Sequence, residues 1–530
     1  MNLLGNGRLR LGAAIMGLCV STVVGQSQFG STAAQQGASA PTPAAAAAPV
    51  APKPAPPPPN AYLDFVRAEA ARYQAGRAFP KDTVEWEKQK VALRGALMTA
   101  WGGFPSTSAK LQPRVLGELR REGYRVEKLV FQTLPGVLMT ANAYVPDAPG
   151  RHPAVLAVHG HWPGAKQDPV VQARCIGLVK QGFFVLVVDA LGAGERAVGK
   201  ALGEYHGDTT AATLWPLGRA LAGLQLYENI RAVDYLRTRP EVDPARIGIT
   251  GASGGGNQTM YAGAWDSRLS AVVAVCSVGN YPAYLGRACC MCEVVPGALS
   301  FADEWAVLGL IAPRALMVVS ATQDSPVFSS AAARVTMEPV ERLFALVGKS
   351  GQVRHTHFES LHDYSQPMRE AMYGWMTREL YGEGDGAPLS EPALKPEDPE
   401  ALRCYPGETR PDDFVTIPRF AAAEARRLLA ARRAPTSATA WKAESARRLA
   451  ALTKVFGGTP GPVALEAKSE PVAAPAAPAG ARRVSFVSEA GIALAVELTP
   501  GRSAGKPLVV LLDFDTIEKT GATPLAVALR

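Results

Sequence analysis

The sequence predicts an α/β fold: an eight-stranded, mostly parallel sheet covered by helices. Three observations carry this reading. Apolar runs alternate with helical segments along residues 61–381. The later runs, among them Ala271 to Cys276 and Arg314 to Ser320, are continuously apolar, as strands buried on both faces should be. A turn, Gly251-Ala252-Ser253-Gly254-Gly255, joins one such run to a small-residue helix. Parallel neighbours need a crossover helix, so this alternation implies a doubly covered sheet with right-handed connections.

Taken in order, residues 1–25 read as a secretory signal peptide. Arg8 and Arg10 precede an apolar stretch, Leu11 to Val24, that is short for a membrane span and ends in small residues. A periplasmic or secreted protein is expected. Residues 26–60 form an Ala/Pro-rich linker that cannot bury enough apolar surface to fold. Residues 61–121 read as helical, with an amphipathic helix from Val84 to Trp101 stopped by Gly102-Gly103-Phe104-Pro105. Strand signals follow at Tyr124 to Gln132, Val137 to Val145, Ala154 to Val158 and Phe183 to Val188. Four more lie at Arg246 to Thr250, Ala271 to Cys276, Arg314 to Ser320 and Val353 to Phe358. Helices are expected at Val170 to Gln181, Leu217 to Arg237, Gly255 to Trp265 and Gln366 to Leu380.

Together these make one large domain, 61–381. Residues 382–480 read as a linker or surface wrap (Gly382 to Pro411), two Ala/Arg-rich helices and a second linker. The helices fall at about Arg419 to Ala434 and Ala438 to Phe456. From 481 to 530, strand signals at Arg483 to Leu498 and Pro507 to Asp513 precede an opening helix, Pro524 to Arg530. This segment is either the start of an incomplete second α/β lobe or a small β appendage.

With 530 residues, 47% hydrophobic and 19% charged, the chain is globular and long enough for two or three folded units. Part of its net charge of +8 lies in the Arg-rich stretch Arg426 to Arg447, and no basic run is interleaved with aromatics. A nucleic-acid partner is therefore not expected. No segment after the first 25 residues reads as a transmembrane span. Beyond Cys19, six cysteines remain, three of them in Cys289-Cys290-Met291-Cys292. A tetrahedral zinc site would want a second spaced pair or nearby histidines, and neither stands beside this cluster. Buried thiols or one local disulfide are expected, and no metal.

The chemistry points to Ser253. A sharp strand–turn–helix forces strained backbone angles on its central residue and tolerates only small neighbours. A serine hydroxyl needs a base, and the base needs an orienting acid, in the chain order Ser, acid, His. Asp324 follows the apolar run ending at Ser320, and His362 follows the strand ending at Phe358. Both fall in loops at the carboxyl ends of strands, where such sheets place their ligands. His355 and His357 lie inside a strand, Asp363 could cap a helix, and Glu293 and Asp303 are second-choice acids. The developing oxyanion needs donors: the backbone N–H of Gly254 and that of His161, in His159-Gly160-His161-Trp162. His159 and His161 themselves are weak metal ligands at this spacing and are expected to shape the loop. Tyr281, Tyr284 and Trp305 could line a sugar-binding wall or simply pack.

These residues resemble a family. His159-Gly160-His161-Trp162, Asp189-Ala190-Leu191-Gly192-Ala193-Gly194-Glu195-Arg196, the Ser253 turn and Cys292-Glu293-Val294-Val295-Pro296-Gly297 are similar to exported bacterial α/β-hydrolases of the acetyl xylan esterase-like family. Ile311-Ala312-Pro313-Arg314, Asp324 and His362 extend the likeness, which covers about residues 84–380. The resemblance implies a Ser-Asp-His serine esterase without a cofactor, acting on acetylated carbohydrate or another small ester. It also implies tandem lobes in longer members. A prolyl-oligopeptidase-like peptidase and a non-catalytic binding protein of the same fold are the alternatives.

Overall fold

The computed structural model describes residues 61–499, apart from 106–107, 202–208, 286, 288–289, 459–460, 462, 473–478 and 490–491. The signal peptide and linker read in residues 1–60, Cys289, and the strand and helix read at Pro507 to Asp513 and Pro524 to Arg530 lie outside the described residues.

Nine strands form the main sheet: β1 (Arg114–Arg121), β2 (Tyr124–Leu134), β3 (Val137–Pro146), β4 (His152–Val158), β5 (Phe184–Val188), β6 (Val242–Ala252), β7 (Leu269–Val275), β8 (Ala315–Ala321) and β9 (Val353–Phe358). Their spatial order is β1-β2-β3-β5-β4-β6-β7-β8-β9. The first three make an antiparallel meander whose β3 pairs antiparallel with β5, and β5 to β9 run parallel. The sequence led to eight strands. The ninth is β1, inside the stretch read as helical. Its charged residues fit a helix as well as a strand, and pairing with β2 decides between them. β1 lies at the edge of the sheet, where charged side chains are tolerated.

β4 has β5 on one side and β6 on the other. The chain therefore reverses its winding direction there, and the carboxyl ends of β4 and β6 are where sheets of this topology place their ligands. Helices cover both faces. On one, Thr83–Trp101, Leu221–Leu236, Gly254–Trp265 and Ser330–Leu346 bury Trp86, Trp101, Tyr235, Met260 and Phe344. On the other, Pro169–Lys180 and Gln366–Met376 bury Val171, Ile176, Met372 and Trp375. Thr83–Trp101 ends where expected, at Gly102 with φ 87°. Ser330–Leu346 has no counterpart in the sequence reading; it carries Pro339 in its interior, normally a helix breaker.

The segment after residue 381 is sewn back onto this domain. Arg121 pairs with Glu397 through two contacts of 2.5 Å, and Gln172 exchanges hydrogen bonds with the Glu397 backbone. Asn142 donates to the Leu402 carbonyl at 3.0 Å. Leu402 and Cys404 are buried against the sheet.

A second sheet holds β10 (Lys468–Pro471), β11 (Arg482–Glu489) and β12 (Ile492–Leu498), all antiparallel. It repeats the opening of the first. Phe486↔Leu494, Val487↔Ala493 and Glu489↔Ile492 reproduce Phe131↔Met139, Gln132↔Leu138 and Leu134↔Val137, each residue number larger by 355, with the register shift at the same place. The offset extends to the helices before it. Phe65, Glu69, Arg72 and Pro80 become Phe420, Glu424, Arg427 and Pro435, and the Glu69–Arg72 ion pair becomes Glu424–Arg427. Trp86 and Trp101-Gly102-Gly103 become Trp441 and Phe456-Gly457-Gly458, with all four glycines at positive φ. Among the described residues, no helix is long and apolar enough to cross a membrane.

Candidate active site

Ser253 directly follows β6, with φ 58° and ψ −131°, and directly precedes the helix Gly254–Trp265. A non-glycine residue in that region costs about 1–3 kcal/mol, so the surroundings must impose it. They do. A methyl group on Gly251 would stand 2.5 Å from the Val158 carbonyl, and one on Gly255 2.6 Å from the same oxygen. The elbow is thus wedged against β4 at a spacing that only glycine permits. The Ser253 N–H donates to the Val275 carbonyl at 3.0 Å, and its carbonyl accepts from Asn257.

Asp324 and His362 leave β8 and β9 at the same end of the sheet. Nδ1 of His362 lies 2.8 and 2.9 Å from the two Asp324 oxygens. The carboxylate is shielded from solvent, while the ring keeps 36% exposure. With Nδ1–H donating to the carboxylate, Nε2 is left as the basic nitrogen. Phe328 stacks on the ring at 5.8 Å. Cys276, directly after Val275, belongs to the same cluster, its sulfur within 4.8 Å of ligand atoms of Asp324 and His362. Burial, and then the Asp324 charge, push this thiol up to about 12, so it stays protonated and donates to the Asp363 carbonyl. The Ser253 turn, bonded to Val275, therefore shares one edge of the sheet with both loop residues.

The competing residues have other partners. His355 contacts Ser320 at 3.1 Å, and burial with the neighbouring His357 lowers it to about 4. Asp303 accepts from the backbone of Tyr281 and Glu304, and Asp363 from that of Tyr364. Tyr281 and Tyr284 do not form an open wall. Both are buried, and the Tyr284 hydroxyl donates to Glu304 at 2.9 Å. Trp305 packs on Phe79. The aromatic that does reach the histidine, Phe328, sits four residues past Asp324, where only the register of a loop could have pointed to it.

The loop after β4 lies against the elbow. A methyl group on Gly254 would meet the His161 ring at 3.1 Å, so the side chain of this loop packs on the start of the helix that follows Ser253. His159 shapes the loop as expected: Nδ1 lies 2.9 Å from the Gly160 carbonyl, and Nε2 accepts from the Ala190 N–H. Beneath it lies a buried charge network drawn from the Asp189–Arg196 motif. Lys166 contacts Glu195 at 2.6 Å and Asp189 at 3.5 Å, while Arg196 grips Glu228 with two bonds. Burial alone would raise Asp189, but Lys166 beside it, with His159 and Thr140, draws it down to about 2. Glu195 also accepts the N–H groups of Cys404 and Tyr405, so the returning segment closes the network.

The sequence reading found no histidine near the cysteine cluster. The structure corrects it: Cys292 Sγ lies 3.5 Å from His161 Nε2, because the fold brings two distant loops together. A cavity of about 190 Å³ is lined by Arg287, Glu293, Ser325, Pro326, Val327 and Phe328, the last of which also stacks on His362.

Residues 66–286 match the model of an abhydrolase family, a span that includes Ser253 and stops before Asp324 and His362. The structure is similar to that of methylesterase BT1017, with a TM-score of 0.56 and 21% identity over 69% of this chain and 81% of that one. This domain has the α/β-hydrolase fold. In sequence, the chain is 31% identical over 138 residues to the protein of Bacillus subtilis (strain 168) named "Putative hydrolase YtaP", covering 24% of this chain and 44% of that protein. It is 27% identical over 146 residues to thiohydrolase aneE of Aspergillus aculeatus, covering 28% and 40%. The chain thus spans less than half the length of these relatives.

Proposed function

We propose that the protein is a serine carboxylesterase that removes acetyl or other short acyl groups, with xylan or related polysaccharides as the favoured source. The carrying observation is the Asp324–His362 pair on the sheet edge where Ser253 is held in a strained turn. Ser253 Oγ attacks the ester carbonyl and His362 Nε2 takes its proton. His362 then returns that proton to the leaving alcohol, and Asp324 holds the ring and balances its transient charge. The N–H groups of Gly254 and His161 receive the oxyanion. Water, activated by the same histidine, splits the acyl-enzyme into a carboxylic acid and free Ser253.

The small cavity walled by Phe328, which stacks on His362, suits a short group, and relatives named as a hydrolase and a thiohydrolase support acyl transfer to water. In this reading residues 1–25 export the protein, and the 355-residue offset marks residues 420–498 as the opening of a second lobe. That lobe begins earlier than residue 481.

The test is acetate release from acetylated xylan and an aryl acetate by the full chain, beside a matched methyl ester, thioester and peptide. Turnover of both acetates, lost in Ser253→Ala, supports the proposal. Turnover of the aryl ester alone removes xylan. Preference for the thioester or peptide moves the enzyme to another acyl class, and no turnover by folded protein leaves a binding role.

A further inference from the structure

We propose that His161, Cys290 and Cys292 form a binding site for a thiophilic divalent cation, Zn²⁺ being the model ion. The site would brace the loop after β4 against the segment between β7 and β8. It is independent of the esterase reading, since none of its three side chains acts on the ester.

The three donors come from two distant parts of the chain, His161 from one and both cysteines from the other. Cys292 Sγ lies 3.5 Å from His161 Nε2 and 2.7 Å from Cys290 Sγ, and all three atoms lie within 4.8 Å of one another. Bonds of about 2.3 Å to sulfur and 2.0 Å to nitrogen give tetrahedral edges of roughly 3.6 Å for S···N and 3.8 Å for S···S. The first edge is already present. The second needs the sulfurs to part by about 1 Å, within the reach of a small thiol rotation. Two thiols and an imidazole are the soft donor set that selects zinc and its neighbours over calcium or magnesium.

The frame is held in place before any ion arrives. Gly160 is pressed against Ser253, which fixes the approach of His161. Cys290 and Cys292 are buried in a tight turn where the Cys292 N–H points at Cys290 Sγ and the Glu293 N–H at the Cys290 carbonyl. Cys292 Sγ also lies 3.0 Å from where a methyl group on Gly254 would sit, at the start of the helix Gly254–Trp265. The positive end of that helix offsets the negative charge that two bound thiolates bring. Binding expels the thiol protons to solvent and leaves a fourth position for water, on the side where His161 is half exposed.

The reduced full chain, titrated with Cd²⁺, tests this through the thiolate-to-metal absorption band. One ion per chain is expected, with affinity at least about tenfold weaker in Cys290→Ser and in Cys292→Ser, while Cys404→Ser binds as the parent does. Absence of the band in folded, reduced protein would overturn the proposal. So would an affinity left unchanged by Cys292→Ser, or a band lost in Cys276→Ser instead, which would place the ion at the Asp324–His362 cluster. If the serine variants do not fold, X-ray absorption of the Zn²⁺-loaded parent decides. Two sulfur neighbours with an imidazole nitrogen uphold the site, and an all-oxygen or all-nitrogen shell rejects it.

Discussion

Gly160 and Ser253 approach so closely that a methyl group on Gly160 would stand 2.7 Å from the Ser253 Cβ and 2.7 Å from the Ala252 carbonyl. The loop after β4 and the turn after β6 are therefore one mechanical unit. Gly160→Ala should push the loop off the elbow and lower kcat by about a hundredfold, the scale of a misplacement near 1 Å. Steady-state kinetics on an aryl acetate checks this, with circular dichroism confirming the fold. An unchanged kcat would mean the loop does not position the reacting groups.

Asp324→Asn keeps the shape of the orienting group but offers Nδ1 the wrong tautomer. Turnover should fall by about 10⁴, and Ser253→Ala should reduce it by about 10⁶. Combining the two should cost little beyond the serine change alone, because the residues act as a unit. Additive losses in the double variant would contradict a shared mechanism.

Lys166 is fully buried between Asp189 and Glu195. Lys166→Met fills its volume yet removes the ammonium from between two buried carboxylates, leaving Asp189 the Thr140 hydroxyl and Glu195 two backbone N–H groups and Arg403 4.0 Å away. A loss of about 3–5 kcal/mol is expected, the range for removing one member of a buried pair. Denaturant unfolding measures it. A loss below about 1 kcal/mol would put the network among weakly contributing surface pairs.

Burial pushes Glu304 up to about 8, against the hydrogen bond from Tyr284, so the folded protein holds this carboxyl protonated near neutrality. A raised carboxyl contributes stability that is fully present below the ordinary carboxylate range and is lost as pH rises through about 8. Glu304→Gln cannot ionise, and its amide can donate to the Tyr284 oxygen while that hydroxyl turns to the Ser277 carbonyl. Its Tm should match the parent's in mild acid and exceed it at about pH 9. Equal Tm values at both ends would show that Glu304 does not titrate in this window.

Trp86 and Trp441 occupy equivalent places in the repeat but different surroundings, 1% against 52% exposed. Trp86→Ala should cost about 3–5 kcal/mol, while Trp441→Ala should stay within about 0.5 kcal/mol. A large cost at Trp441 would mean that the second repeat has a packed core of its own.

Much of the hydrolase domain was legible along the chain. Strands β4, β5, β7 and β8 are apolar because both faces of the sheet are covered there, and helices such as Pro169–Lys180 and Gly254–Trp265 fill the intervals between strands. β1 escaped because a charged edge strand has no periodic signature apart from its pairing partner. Ser330–Leu346 escaped because Pro339 argues locally against a helix that the core then holds together. The 355-residue repeat was available in Trp86 with Trp101-Gly102-Gly103 and Trp441 with Phe456-Gly457-Gly458, and comparing the chain with itself would have found it.

By itself the sequence determined the sheet, the Ser253 turn, and Asp324 and His362 as loop residues at strand ends. Local patterning encodes these, since burial periodicity and glycine placement are set by near neighbours. Only the tertiary structure decided that Asp324 grips His362, that Tyr281 and Tyr284 face the core, and that His161 meets Cys292. Each of those contacts joins loops distant in sequence. Their meeting depends on strand order and on the reversal of winding at β4, which no short stretch of sequence contains.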